Sequence, residues 1–251
     1  MVKTANIRCI TGDSASYPPL LREIFDPPAR LYIRGVLPDP EKPAVAVVGT
    51  RRPGAAAMRD ALRLGRELAE RGITVVSGLA LGIDALAHRG CLDAGGVTVA
   101  VLGSGVDQVY PASNRDLARR IIDNGGALVS EYECGTKPLK WHFPARNRII
   151  SGWARGVVIV EAPERSGALH TARFALEQGR DVWVASSGAA SSRGGGTKAL
   201  VDDGCAVING AADILAEWRM LPADRERVGA RNPAGNAGAA LAESLRKELA
   251  F

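Results

Sequence analysis

One rhythm limits the folds open to this chain. From Ala44 to Trp218, short apolar runs alternate with longer segments whose apolar residues recur at helical spacing. The runs are AVAVVG from Ala44, then Ile73–Val76, Val97–Leu102, Ala127–Ser130, Val157–Val160, Val182–Ala185 and Ala206–Ile208. A run without polar alternation suits a strand buried on both faces. Between the runs the spacing predicts helices over 55–71, 85–94, 111–124, up to Ala154, 168–178, up to Leu200, and 212–218. In the first of these, Met58, Leu62, Gly65 and Leu68 are expected to share the buried face. Neighbouring parallel strands need a long crossover, which a helix supplies. The rhythm therefore predicts an α/β fold: a mostly parallel sheet with helices on both faces.

The flanks break the rhythm. Residues 1–40 read as an N-terminal arm, with a short helix around Leu20–Phe25 and an edge strand at Leu31–Ile33. The main domain spans 41–218. Residues 219–251 read as a linker followed by a short helix with Leu241, Leu245 and Leu249 on one face. The four cysteines are far apart and only three histidines occur, so neither a disulfide framework nor a metal site is expected, and a reducing compartment fits. No run is apolar and long enough for a membrane span. The cytoplasm is the expected location. The net charge of +5 and pI of about 9.2 lean mildly towards an anionic partner.

In parallel sheets, ligands sit beyond the carboxyl ends of the strands. The loops to watch are 49–54, 77–84, 103–111, 131–145, 161–167 and 186–196. The stretch KPLKWHFPARNRIISG, from Lys137 to Gly152, joins one of them to a helix. It carries Lys137, Lys140, Arg146 and Arg148 and no acid, with Trp141 and Phe143 among the cations. Pro138 and Pro144 hold its first half out of regular helix. Cations with interleaved rings suit an unpaired nucleic acid, with phosphates on the charges and bases on the rings. The window alone is equally consistent with a solvated basic loop.

Other loops are open to two readings each. GTRRPG, with Arg51 and Arg52, lacks both the dinucleotide and the Walker pattern, yet leads into a helix start that can hold an anion. Gly78 and Gly82 in SGLALGID allow close approach of a ligand, or serve a tight turn with Asp84 as its cap. Tyr110, Pro111 and Asn114 are read as structural, with Ser113 or Asn114 capping the next helix. Ser166 and Gly167 suit a helix start facing phosphate, and His170 is read as structural. One of Arg146 and Arg148 is expected to pair with Glu131 or Glu161. Asn147 offers both a donor and an acceptor. No catalytic motif is readable.

In order, VAVVGTRRPG, VVSGLALGIDALAHRG, VAVLGSGVDQVYPASNRDL, LVSEY, HFPARNRIISG and EAPERSGALHTARFALEQGRDVW resemble the DNA-processing protein A (Smf) family over residues 17–218. The resemblance implies an extended Rossmann-like domain. It implies sequence-independent binding and protection of single-stranded DNA, and loading of a RecA-type recombinase during natural transformation. It further implies a homodimer, with no cofactor and no catalysis. The family's DNA pocket maps to Gly49, Thr50, Arg51, Ser77, Gly78, Lys140, Phe143, Arg146, Asn147 and Arg148. Two departures stand out. The flanks are too short for the helical and winged-helix modules of many relatives. Ala185-Ser186-Ser187-Gly188 and Gly196-Thr197-Lys198 replace Val-Pro-Gly and Gly-Thr-Asn, so Lys198 is a further candidate for phosphate. The competing reading is a nucleotide-binding protein, or one resembling the nucleoside-monophosphate phosphoribohydrolases. In that case Phe174 falls where the catalytic glutamate is expected.

Overall fold

The valine-rich runs become the sheet. The structure, a computed structural model, describes residues 7–219. Two strands, β1 (Ile7–Thr11) and β2 (Arg30–Gly35), precede the first apolar run, β3 (Ala44–Val48). Then come β4 (Thr74–Ser77), β5 (Thr98–Val101), β6 (Ala127–Ser130), β7 (Gly156–Ile159), β8 (Asp181–Ala185) and β9 (Ala206–Ile208). They form one sheet in the order β1-β2-β6-β5-β4-β3-β7-β8-β9. From β6 to β9 every neighbouring pair is parallel; β1–β2 and β2–β6 are antiparallel. The fold is α/β and Rossmann-like, with a mostly parallel sheet.

β3 is wedged between two apolar layers. Its Ala44, Ala46 and Val48 join one layer, and Val45 and Val47 join the other. Both faces are dry, so the strand needs no polar alternation. The first layer is built by α1 (Pro19–Arg22), α5 (His142–Trp153), α6 (Gly167–Glu177) and α8 (Gly195–Asp202). The opposite face carries α2 (Ala55–Glu70), α3 (Ile83–Asp93), α4 (Arg115–Asp123) and α9 (Ala211–Arg219).

The chain builds outward from β3 in two directions, through β4, β5 and β6 on one side and β7, β8 and β9 on the other. At such a reversal the loops after the two central strands part to opposite faces and leave a crevice. Here that crevice lies between the loops after β3 and β7.

Several expectations need correction. The predicted edge strand at Leu31–Ile33 is β2, one place inside the edge, because β1 pairs outside it. The buried face of α2 is Ala57, Ala61, Leu64, Gly65 and Leu68, while Met58 is 45% exposed. The seam is turned because α2 lies on α3 through Gly65, where a Cβ would sit 2.2 Å from the Ala87 carbonyl oxygen. Asn114 sits at the start of α4 without capping it; its amide is buried and donates to the Leu79 and Ala80 carbonyls at 2.9 and 3.3 Å. The 186–196 loop contains a helical turn, α7 (Ser186–Ala189). α5 starts two residues before Pro144, which the first helical turn tolerates because its amides have no helical partner anyway. The linker and terminal helix expected after Trp218 lie outside the described residues, apart from the end of α9.

Candidate functional site

A cleft of about 1230 Å³ opens at the crevice between β3 and β7. Its walls come from the loops after β3 and β7, the start of α5 and the start of α6. Each wall has a local cause. The loop after β3 returns to the sheet through a hydrogen bond from the Thr50 amide to the Glu161 carbonyl, at 2.7 Å. Glu161 is buried and its carboxylate accepts from the Gly54 amide at 2.7 Å, at the start of α2. It also accepts from the Ser191 hydroxyl, which ties in the loop after β8. Ser166 caps α6 by accepting from the Ala168 amide at 3.3 Å. The turn into α3 rests on Gly82, whose φ of +75° disfavours L side chains and whose missing Cβ leaves room for the Thr50 carbonyl.

Cations and rings meet inside. The Arg51 guanidinium lies 5.8 Å from the centre of the Phe143 ring. Tyr110 is tilted against the same Phe143 ring, with ring centres 5.6 Å apart and 47° between the planes. Arg51, Arg52, Lys140, Arg165 and Arg193 line the cleft and are exposed, and none of them is in an ion pair among the described residues. Two buried acids also line the cleft, Asp84 and Glu161, and the Glu161 oxygens are occupied as described.

The family-derived residues separate into two groups. Gly49, Thr50, Arg51, Lys140, Phe143, Arg146 and Asn147 line the cleft. Gly78 lines an adjoining recess of about 40 Å³ with Arg51, Tyr110, Phe143 and Arg146. Ser77 and Arg148 line neither. Ser77 is buried in β4 and donates to the Val47 carbonyl at 2.7 Å. Arg148 makes a bidentate pair with Glu131, at 2.8 and 2.7 Å, and a further ion pair with Asp26 at 2.9 Å. It is the expected arginine–glutamate pairing, and it ties α5 to the loop after β6 and to the segment after α1.

Arg146 reaches the cleft with its charge already engaged. It is 5% exposed and donates to the Gly78 carbonyl at 2.9 Å and to the Val101 carbonyl. Burial pulls its guanidinium down to about 10, against the opposing charge of Asp84, so it stays charged at neutral pH. Asp84 is buried and accepts from the Gly78 and Ala80 amides at 3.1 and 3.4 Å. Burial pushes its carboxyl up, against the Arg146 charge and those amides. This pair fixes the SGLALGID loop from below. Asn147 also has its amide spoken for, donating to the Gly167 carbonyl at 3.1 Å.

The predicted set leaves out several lining groups, among them Tyr110, His170, Arg165 and Arg193. Tyr110 was expected to be structural but is 47% exposed beside Phe143. His170 was read the same way, yet its half-buried ring lines the cleft, with its pKa lowered by burial and by Arg173. Arg165 and Arg193 lie on the 161–167 and 186–196 loops, which the sequence places at the strand ends without singling out either arginine for the site. Lys198, singled out instead of Arg193, is exposed outside the lining.

Among the described residues, no helix is long and apolar enough to cross a membrane, and no group of three or more His, Cys, Asp or Glu side chains is placed to hold a metal. The sequence model of the family described as DNA recombination-mediator protein A matches residues 8–219. The Smf protein of Synechocystis is 41% identical over 237 residues, which is 88% of this chain and 59% of that protein. The chain thus spans less than two thirds of that relative's length. The crystal structure of DNA processing protein A from Streptococcus pneumoniae superposes with a TM-score of 0.78 at 38% identity, over 86% of this chain and 76% of that one. DNA processing protein A from Helicobacter pylori, whose structure is described as giving insight into a unique single-stranded DNA binding mode, superposes with a TM-score of 0.73 at 30% identity. It covers 85% of this chain and 97% of that one. By sequence model, by identity and by superposition, this chain belongs to the DNA recombination-mediator protein A family, the family of the DNA-processing proteins A and Smf.

Proposed function

We propose that this chain binds single-stranded DNA in the cleft between β3 and β7, without sequence preference and without catalytic turnover. The observation that carries the reading is the Arg51 guanidinium over Phe143, with Tyr110 alongside. An unpaired base has two open faces, and aromatic rings accept any of the four bases on them. Arg51, Arg52, Lys140, Arg165 and Arg193 are the charges for the phosphates. Gly49, Thr50 and Gly78 let the strand approach the backbone. Ser77, Arg146, Asn147 and Arg148 act as positioning residues, because the structure already commits their polar groups elsewhere. A strand held here is shielded from nucleases. Family membership extends the reading further: the held strand is handed to a RecA-type recombinase during transformation, in the cytoplasm, by a homodimer.

Phe143→Ala and Arg51→Ala test the assignment. Each is expected to weaken binding of labelled oligo-dT, measured by fluorescence anisotropy, and the lost ring should cost about 1–3 kcal/mol. Wild-type affinity in both folded variants would defeat it. The phosphoribohydrolase reading has its own arm. Phe174 is not among the lining residues, and the Arg173 guanidinium sits 5.2 Å from its ring. Two carboxylates line the cleft, but Glu161 is bound to Gly54 and Ser191, and Asp84 to the Gly78 and Ala80 amides. Incubation with AMP should release no adenine; rapid release would overturn the binding-only reading.

A further inference from the structure

One large ring at the rim has no part in the cleft. Trp141 is 67% exposed and lies outside the lining, although Lys140 before it and Phe143 after it both belong to the cleft. Its position is held from behind. His142 is buried, stacks on Tyr132 with ring centres 3.9 Å apart and 19° between planes, and has Nδ1 at 3.2 Å from the Gly103 carbonyl. Trp141 meets that His142 ring edge to face, with centres 6.0 Å apart at 84°. The contact braces the indole without covering it. Lys137 and Lys140 flank it, both exposed, and no acid occurs from Lys137 to Gly152.

A large exposed apolar face next to two cations that are in no ion pair among the described residues matches a ligand that carries flat rings on a polyanionic backbone. Resting on the single-strand reading above, we propose that Trp141 is a second stacking platform outside the cleft. It takes a base of the strand that leaves past Lys140, while Lys137 and Lys140 hold the flanking phosphates. The bound strand is then longer than the cleft, and the extra length is read by stacking rather than by base edges.

The test uses the full chain with labelled oligo-dT of about four and about sixteen nucleotides, the span of site sizes for single-strand modules. Trp141→Ala should weaken binding of the long oligomer about tenfold more than the short one, the size of one lost base stack. Trp141→Phe should keep most of the affinity, since a ring remains. Indole fluorescence should be quenched by the long oligomer, and Trp141→Phe should abolish that quench, because Trp153 and Trp183 are buried and Trp218 packs on Trp183 with its ring nitrogen bonded to Asp181, at the start of β8 and away from the cleft. Equal affinity of wild type and Trp141→Ala for the long oligomer would overturn the platform and leave Trp141 facing a protein. An equal loss on both lengths would also overturn it, by placing the ring within the cleft's own reach. If wild type binds neither oligomer, the proposed function itself fails, which is a separate result from either.

Discussion

At the scale of single residues, position in the hydrogen-bond network decides which polar group is free. His88 is fully buried, with Nδ1 2.7 Å from the Thr98 hydroxyl. That hydroxyl donates onward to the Val75 carbonyl at 2.7 Å, so Nδ1 must carry the proton and donate. Nε2 is left buried with no partner among the described residues, and protonating it would bury an unpaired donor. Burial, with the Arg146 charge, pushes the imidazole down to about 3 from its ordinary 6.5. The unfolded chain therefore takes up this proton between those values while the folded one does not. Stability is lost as pH falls through that window, by about 2 kcal/mol at pH 5. The fall in urea midpoint between pH 7 and pH 5 is expected to shrink in His88→Gln; an unchanged fall would contradict the assignment. The same logic explains what the RNR triplet hid. Its charge is plain in the sequence, but the carbonyls of Gly78 and Val101 that occupy Arg146 lie 68 and 45 residues away. Tyr110 was hidden for the converse reason, since its place in the cleft depends on Phe143 reaching it from the start of α5.

At the scale of elements, two helices set the loops of the cleft. α2 follows the loop after β3 and α3 follows SGLALGID. They touch through glycines on both sides: a Cβ on Gly65 would lie 2.2 Å from the Ala87 oxygen, and one on Gly90 would lie 2.0 Å from the Leu62 oxygen. Backbone cannot yield to such contacts without parting the helices. Gly65→Ala and Gly90→Ala are each expected to cost about 1–3 kcal/mol, read by denaturant unfolding, and to weaken oligo-dT binding by moving Arg51 away from Phe143. Stability and affinity unchanged in both variants would show that the seam does not position the loops. Element existence was legible here because period and run length agree along α2, α3 and the strands between them. The inward face of α2 was not, because Met58 and Ala57 are neighbours and only the partner helix selects between them. β1 was illegible for another reason: most of it is exposed, so its residues carry no apolar pattern.

At the scale of the whole molecule, strand order makes the site. The alternation of strand and helix announced a parallel sheet, and the strand-end loops are where the cleft lies. The alternation does not say that β7 returns beside β3, and that return opens the crevice. It brings Arg165 and Arg193 opposite Arg51, Arg52 and Lys140 around one cavity. Five exposed cations at one cleft make a quantitative demand. If about four of them meet phosphates of an unpaired strand, log K should fall with log salt at a slope of about −3. Arg51→Ala should make that slope shallower by about 0.7, the share of one phosphate contact on a single strand. The most direct measurement is an anisotropy titration of wild type and Arg51→Ala with oligo-dT and with a duplex of equal length, across a series of salt concentrations. The account predicts tighter binding to the single strand, a slope of about −3, and a shallower slope in the variant. Equal affinity for duplex and single strand, or a slope that Arg51→Ala leaves unchanged, would contradict it.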